Sequence, residues 1–83
     1  MNTGQAIELA KQGNKLARIG WNGKRMFIYY VPANKYPAQT DVAKAEFGDW
    51  VSYGAYIAMK TATGEVVPWL ASQTDLLAED WEV

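Results

Sequence analysis

The apolar residues near the start of the chain recur at the spacing of an α-helix. Between Ala6 and Ala10 the apolar positions fall on one side, and polar residues occupy the other. Asn2 followed three places later by Gln5 matches a capping box, and Gly13 tolerates the left-handed backbone that ends a helix. The pattern therefore predicts a helix of about ten residues, a length that is unstable alone and must pack on a sheet.

Several later segments are alternately or continuously apolar, as β-strands are. Between the second and third of them, residues 32–50 contain prolines, glycine and asparagine and are expected to be irregular, apart from one helical turn at 42–47. The predicted strands are 15–19, 26–31, 51–60 and 65–67, with a last strand at 81–83.

A second short helix is expected to begin at Ser72, whose hydroxyl can cap it. Leu76 and Leu77 are expected to give this helix a face toward the core. The elements together indicate one α+β domain over residues 1–83. It would have a small, mostly antiparallel sheet, an N-terminal helix and a short C-terminal helix.

The strand predicted at 26–31 is apolar on both of its faces. A helix that packs on one side of a sheet leaves the other side open, so a second cover is needed. A second copy of the chain is the simplest cover, and homo-oligomers are commonly two-fold symmetric. The alternative is that the long central loop folds over this face.

The composition gives no support to catalysis. The sequence has neither cysteine nor histidine, which excludes disulfides, thiolate sites and the usual general base at neutral pH. No serine lies in a nucleophile elbow, and the glycines are scattered at turns rather than gathered in a phosphate-binding loop. We therefore expect a binding protein without cofactor or metal. A minimal enzyme using a carboxylate such as Asp75 is the alternative.

The charges are unevenly distributed along a nearly neutral chain. Residues 1–25 carry five basic residues against one acidic residue, whereas the remainder carries three against eight. An overall neutral chain is poorly suited to long nucleic acid, but a small basic patch can hold one phosphorylated ligand. No apolar run approaches the roughly 20 residues of a membrane span, and the start lacks the features of a signal peptide. The expected compartment is the cytoplasm.

The tryptophans supply the main candidate for binding chemistry. Trp21 lies in a turn among basic residues, where it can stack on a base while cations meet phosphates, or fill the core beneath the turn. Trp69 precedes the second helix, whose first turn offers unpaired backbone N–H groups to an anion or a ribose. The alternative is that Ser72 only caps this helix and that Trp69 is buried in the core. Trp50 and Trp81 are expected to be structural.

Two segments resemble a known family. The first runs from Arg18 to Lys24 and is followed by Met26, and the second runs from Val67 to Trp81. Together with the opening helix and the length, they resemble the small phage and prophage domain of the type-two Thoeris anti-defence proteins. The resemblance covers nearly the whole chain.

The resemblance implies a non-catalytic sponge for cyclic nucleotide-type immune signals in the cytoplasm of an infected cell. Members of the family bind glycocyclic ADP-ribose made by bacterial TIR proteins without cleaving it. Some also sequester cyclic di- or trinucleotides at a separate site. They assemble as homotetramers with pockets between protomers. The alternative is a phage structural or protein-interaction domain that binds no small molecule.

The matching positions imply roles for individual residues. Trp21 would stack on the base and Asn22 would hydrogen-bond to base or ribose. Arg18 and Lys24 would face phosphates. Asp75 could instead only stabilise its helix. The remaining residues expected to line the pocket or to contact ribose hydroxyls and base edges are Met26, Trp69, Ser72, Gln73, Thr74 and Asp75.

Overall fold

Three helices and seven short strands make up the computed structural model, which describes all 83 residues. Every strand pair is antiparallel, so the expected α+β class is confirmed. The helices are α1 (Thr3–Lys11), α2 (Asp41–Phe47) and α3 (Gln73–Leu76). The strands are β1 (Ala17–Arg18), β2 (Phe27–Val31), β3 (Asn34–Pro37), β4 (Trp50–Tyr53), β5 (Tyr56–Lys60), β6 (Val66–Pro68) and β7 (Trp81–Glu82).

Helix α1 begins with the predicted capping box. The Gln5 amide donates to Asn2 Oδ1 and the Asn2 amide donates to Gln5 Oε1, both at 2.9 Å, which satisfies two N–H groups at the helix start. Beyond its end, Gly13 adopts a φ of 100°, a conformation that suits glycine. Helix α1 has nine residues, and none of the helices is long and apolar enough to cross a bilayer.

The core lies where α1 packs against the middle of the sheet. Small residues on the helix let it lie close to β2, and Leu16 and Ile28 exchange two backbone hydrogen bonds beneath it. The tightly buried side chains are Ala6, Ala10, Leu16, Ile28, Ala78 and Trp81.

The prediction that Leu76 and Leu77 face the core is wrong. Leu77 is 78% exposed and Leu76 is half exposed, whereas Ala78 is buried in their place. Helix α3 has only four residues, so it forms a single turn that cannot present an apolar stripe to the sheet. The turn that ends it directs the small Ala78 inward, and the two leucines stay at the surface.

The prediction that residues 32–50 are irregular is wrong where β3 and the first residue of β4 lie, whereas the helical turn predicted at 42–47 is confirmed as part of α2. Val31 pairs with Tyr56 and Asn34 pairs with Tyr53, so the β2–β5 and β3–β4 ladders share one register. They form one long hairpin that is interrupted where Pro32, which has no amide hydrogen, enters the strand. The predicted strand 51–60 is accordingly divided into β4 and β5.

Residues 32–55 form an extension, called the arm below, that contributes nothing to the core cluster. Its residue Val51 is buried, but the rest of the arm is largely exposed, and the molecule measures 44 Å along its longest axis. Trp50, expected to be structural, is 60% exposed on the arm, whereas Trp81 is 2% exposed in the core. Large apolar side chains exposed on the arm are Tyr36, Val42, Phe47, Trp50 and Tyr53.

The second face of the β2–β5–β6 sheet carries apolar side chains on β2 and β5. Phe27, Tyr29 and Val31 on β2 are half-buried there, and Tyr56 on β5 is exposed. The central segment does not fold over this face, because it prolongs the hairpin beyond the end of the sheet, and α2 packs against β4 within the arm.

Candidate ligand-binding site

A tight turn carries Trp21, whose side chain is half-buried against the core cluster. Residues Ile19–Trp21 form one turn of 3-10 helix, which ends at Asn22 with a left-handed backbone (φ 55°, ψ 40°). Gly23 follows with a φ of 69°, as predicted for an Asn-Gly turn. The Asn22 amide donates to the Ile19 carbonyl at 3.0 Å, which closes the turn. The indole of Trp21 is therefore attached to a backbone with little freedom.

Three tryptophans meet beneath this turn and join the two segments identified in the sequence. The Trp21 and Trp69 rings both pack edge-on against Trp81, at centroid distances of 5.2 Å and 5.8 Å. Trp81 Nε1 donates to Thr3 Oγ1 at 2.8 Å, and this hydroxyl donates to the Asp75 carbonyl at 2.6 Å. The Trp69 indole N–H is buried and has no hydrogen-bond partner.

The Arg18 guanidinium joins the first segment to the second through two carboxylates. Arg18 Nη1 donates to Asp75 Oδ1 at 2.7 Å, and Arg18 Nε donates to Asp80 Oδ1 at 2.8 Å. The Arg18 side chain is only 14% exposed. The family resemblance implies that Arg18 faces a phosphate, whereas in the structure its donors are directed at carboxylates of its own chain.

These contacts shift the proton equilibria of the pair. The hydrogen bond from Arg18, followed by that from the Gly20 amide, holds the pKa of Asp80 below its ordinary value of 3.8. The hydrogen bonds to Asp80 and then Asp75 raise the pKa of Arg18. Since the folded pKa of Asp80 is lowered, its contribution to stability is present above pH 3.8 and is lost as the pH falls through the lowered value. The pair is therefore fully charged at neutral pH.

A groove of about 400 Å³ opens beside the turn. Lys24 and Arg25 line it, and no carboxylate lies within ion-pair distance of either side chain. Arg25 has a φ of 58°, a left-handed backbone that is uncommon for residues other than glycine, asparagine and aspartate. The predicted site residues that the structure brings together here are Arg18, Trp21, Lys24 and Met26.

The polar residues at the start of α3 lie outside this groove. Ser72 Oγ accepts from the Asp75 amide at 3.0 Å and so acts as a helix cap. Gln73 and Thr74 are exposed, and their side chains make no hydrogen bond within the chain. Within one chain two links connect α3 to the Trp21 turn. One is the Arg18–Asp75 ion pair, and the other runs from the Asp75 carbonyl through the Thr3 hydroxyl to Trp81, on which Trp21 packs.

Asp80 and Thr3 make hydrogen bonds at this site that no local pattern in the sequence predicts. The acids near the end of the chain have the pattern of a solvated surface, and nothing local distinguishes Asp80 from its neighbour Glu79. Arg18 pairs with Trp81 in the β1–β7 ladder, and this register places Asp80 beside Arg18. The position of Asp80 beside Arg18 therefore depends on a long-range strand register, which cannot be predicted from neighbouring residues.

The fold and the site define a small α+β domain in which a half-buried tryptophan and two unpaired cations line one groove. The family model of the Tad2-like, or Thoeris anti-defense 2-like, domain matches residues 1–83. Thoeris anti-defense 2 from Bacillus phage SP01 is 37% identical over 83 residues, which cover 100% of this chain and 93% of that protein. The chain belongs to the Thoeris anti-defense 2-like family, whose role is to counter bacterial defence, and the resemblance found in the sequence is confirmed.

Proposed function

We propose that this protein binds and sequesters a cyclic nucleotide-type immune signal, foremost glycocyclic ADP-ribose from TIR proteins, without cleaving it, in the cytoplasm of the infected cell. The observation that carries the proposal is the placement of Trp21 beside Lys24 and Arg25, two cations with no carboxylate of the chain within ion-pair distance. Family membership supports the anti-defence purpose of such binding.

The chemistry of the groove suits this class of ligand. An indole face can stack on an adenine base, and such stacking tolerates different bases because each has a π-face. Lys24 and Arg25 can meet the pyrophosphate, and Arg adds a planar fork of donors. Asn22 lies at the end of the same turn, where its amide can hydrogen-bond to a ribose or a base edge.

Retention of the ligand intact is the second part of the proposal. The acidic side chain that lines the groove is Glu82, and the hydrogen bond from Arg18 holds the pKa of the nearby Asp80 below its ordinary value. A carboxylate held with a lowered pKa is a poor proton donor or acceptor at neutral pH, since catalysis favours a pKa near the working pH. This arrangement supports binding rather than turnover.

The test is titration calorimetry with purified protein and glycocyclic ADP-ribose, with linear ADP-ribose as the control. A ligand present at 100 times its dissociation constant should add about 2.7 kcal/mol to the apparent stability, which a thermal shift detects. After heat denaturation of the complex, chromatography should recover the cyclic compound unchanged. Recovery of an opened product would contradict sequestration, and the absence of heat and of a thermal shift would favour a structural or protein-interaction domain.

Cyclic dinucleotides and trinucleotides form the second arm of the same experiment. A thermal shift that adds to that of saturating glycocyclic ADP-ribose would establish a separate site for them. A shift that appears only without glycocyclic ADP-ribose would mean that one site is shared. No shift would restrict the protein to the first ligand.

The proposal includes assembly into a homo-oligomer, with a tetramer as the expected form. The uncovered second face of the sheet and the exposed apolar side chains of the arm support it, because a monomer seldom leaves large apolar patches in water. Further copies of the chain would cover the second face of the sheet and the apolar side chains of the arm. In a two-fold interface each partner uses the same surface, so both partners are covered equally.

A shortened variant tests the role of the arm in this assembly. Replacing residues 32–55 by Asn-Gly joins Val31 to Tyr56, which already face each other, through a turn that favours two-residue hairpins. Because the core cluster lies entirely outside the arm, the variant is expected to fold. Light scattering should give the mass of a smaller assembly or a monomer.

The control for this variant keeps the arm but removes its exposed apolar side chains, as in the triple substitution Val42→Ser, Phe47→Ser and Trp50→Ser. It should dissociate the assembly in the same way. If the shortened variant keeps the subunit number of the native protein, the arm is not the interface. If the native protein is itself a monomer, the assembly proposal fails.

A further inference from the structure

The Asp80 carboxylate is the point at which the Trp21 turn is tied to the rest of the fold. Asp80 Oδ2 accepts from the Gly20 amide at 2.8 Å, and Asp80 Oδ1 accepts from Arg18 Nε at 2.8 Å. Arg18 is the residue before the turn and Gly20 lies inside it, so one carboxylate binds both the start and the middle of this segment. A backbone tied at two points leaves Trp21 little freedom to move.

The sequence of the turn is adapted to this contact. A Cβ atom added at Gly20 would lie 3.0 Å from Asp80 Oδ2 and 3.0 Å from an Arg18 guanidinium nitrogen, closer than most Cβ contacts in proteins. Because glycine has no Cβ atom, the carboxylate and the guanidinium can approach the backbone of the turn closely. The Asp80 backbone adds a third link, because its carbonyl accepts from the Ile19 amide at 3.2 Å.

We infer that Asp80 is a positioning residue for ligand binding, which fixes Trp21 at the groove through Gly20 and Arg18. This inference rests on the proposed function, since its purpose is a preorganised stacking surface. A ligand that meets a turn already in place loses less affinity to ordering than one that must order the turn itself.

Asp80 lies outside the core, so its effect on the Trp21 turn can be measured apart from an effect on core packing. Its side chain is 31% exposed and lies outside the buried cluster, and Trp81 beside it is held by its own hydrogen bond to Thr3. Removal of the carboxylate charge should therefore disturb the turn more than the fold. Glu79 offers a matched control, because it is the adjacent acid and its side chain makes no hydrogen bond or ion pair.

The experiment compares Asp80→Asn with Glu79→Gln, two variants that remove one negative charge from neighbouring positions. Amide NMR should show the Gly20 resonance moving upfield in Asp80→Asn, and the indole N–H resonance of Trp21 broadening or shifting. The dissociation constant for glycocyclic ADP-ribose should rise about tenfold or more, the loss expected for one hydrogen bond to a charged group. Glu79→Gln should leave all three quantities unchanged.

Two further variants keep the test decisive. Gly20→Ala should displace the turn from the same carboxylate without a change of charge, and should reproduce both the Trp21 shift and the weaker binding. Asn2→Ala, which removes the cap of α1, lowers the melting temperature at another place and should leave the affinity unchanged.

An unchanged Trp21 resonance in Asp80→Asn would overturn the inference, as would an unchanged affinity. If the native protein binds no glycocyclic ADP-ribose, the proposed function fails, while the Gly20 and Trp21 resonances still decide whether Asp80 fixes the turn. The two failures are therefore distinguishable.

Discussion

Replacement of Trp21 by alanine is expected to raise the dissociation constant for glycocyclic ADP-ribose by about 5- to 150-fold. This range corresponds to the loss of about 1–3 kcal/mol of stacking on one base. Trp21→Phe should keep most of the affinity, because phenylalanine retains an aromatic face. Titration calorimetry measures both constants, and near-ultraviolet circular dichroism verifies that Trp81 remains packed.

The control for this prediction is Trp50→Ala, which removes the same side chain from the arm, where it is 60% exposed. It should leave the affinity of a correctly assembled protein nearly unchanged. If Trp21→Ala keeps the affinity, or if the affinity falls only because the protein unfolds, Trp21 fills space above Trp81 and is not the stacking surface.

Replacement of Ile28 by alanine is expected to lower the free energy of unfolding by about 2–5 kcal/mol. Ile28 is fully buried and lies in the core cluster with Ala6, Ala10 and Trp81, whose small or rigid side chains cannot collapse into the space it leaves. For a domain of this size the melting temperature should fall by about 8 °C or more. Thermal and urea unfolding at one fixed protein concentration measure the change.

The matched substitution is Leu70→Ala at a position that is 93% exposed. It should change the free energy of unfolding by no more than about 0.5 kcal/mol when both substitutions are compared in the arm-shortened variant. A loss from Ile28→Ala as small as that from Leu70→Ala would show that the centre of stability lies elsewhere, with the arm or the subunit contacts. Ile28→Val should fall between the two, at about 0.5–1.5 kcal/mol.

The arrangement of the site explains why two distant segments of the sequence identify the family together. The first segment carries the turn and its tryptophan, and the second carries Asp75, Asp80 and the tryptophans that support the turn. Neither segment forms the site alone. Substitutions in the second segment, such as Asp80→Asn, are therefore expected to act on ligand binding without contact with the ligand.

Local patterns predicted the parts of this fold that depend on neighbouring residues. The capping box of Asn2 and Gln5 and the left-handed backbone of Asn22 and Gly23 each require contacts within a few positions. The apolar strand at 26–31 is also recognisable, because β-branched and aromatic residues favour a pleated, half-buried surface. The absence of cysteine and histidine likewise limits the chemistry without any structure.

Strand β3 cannot be predicted from local patterns. Asn34, Lys35 and Pro37 are poor strand formers, and they adopt a strand because the register of β2 and β5 continues into β4 and supplies their partners. The local pattern predicts a helical turn at 42–47, within α2 (Asp41–Phe47), but the position of α2 at the tip of a long hairpin follows only from that register.

The sequence by itself determined the helix start, the main strands, the Trp21 turn and the family to which the chain belongs. Tertiary structure alone decided that Arg18 binds Asp75 and Asp80 and that Trp81, rather than Trp50, is buried. The physical reason is that these outcomes depend on the pairing of β1 with β7, between residues from opposite ends of the chain. Such a register is fixed by the packing of the whole core, and no local pattern of residues encodes it.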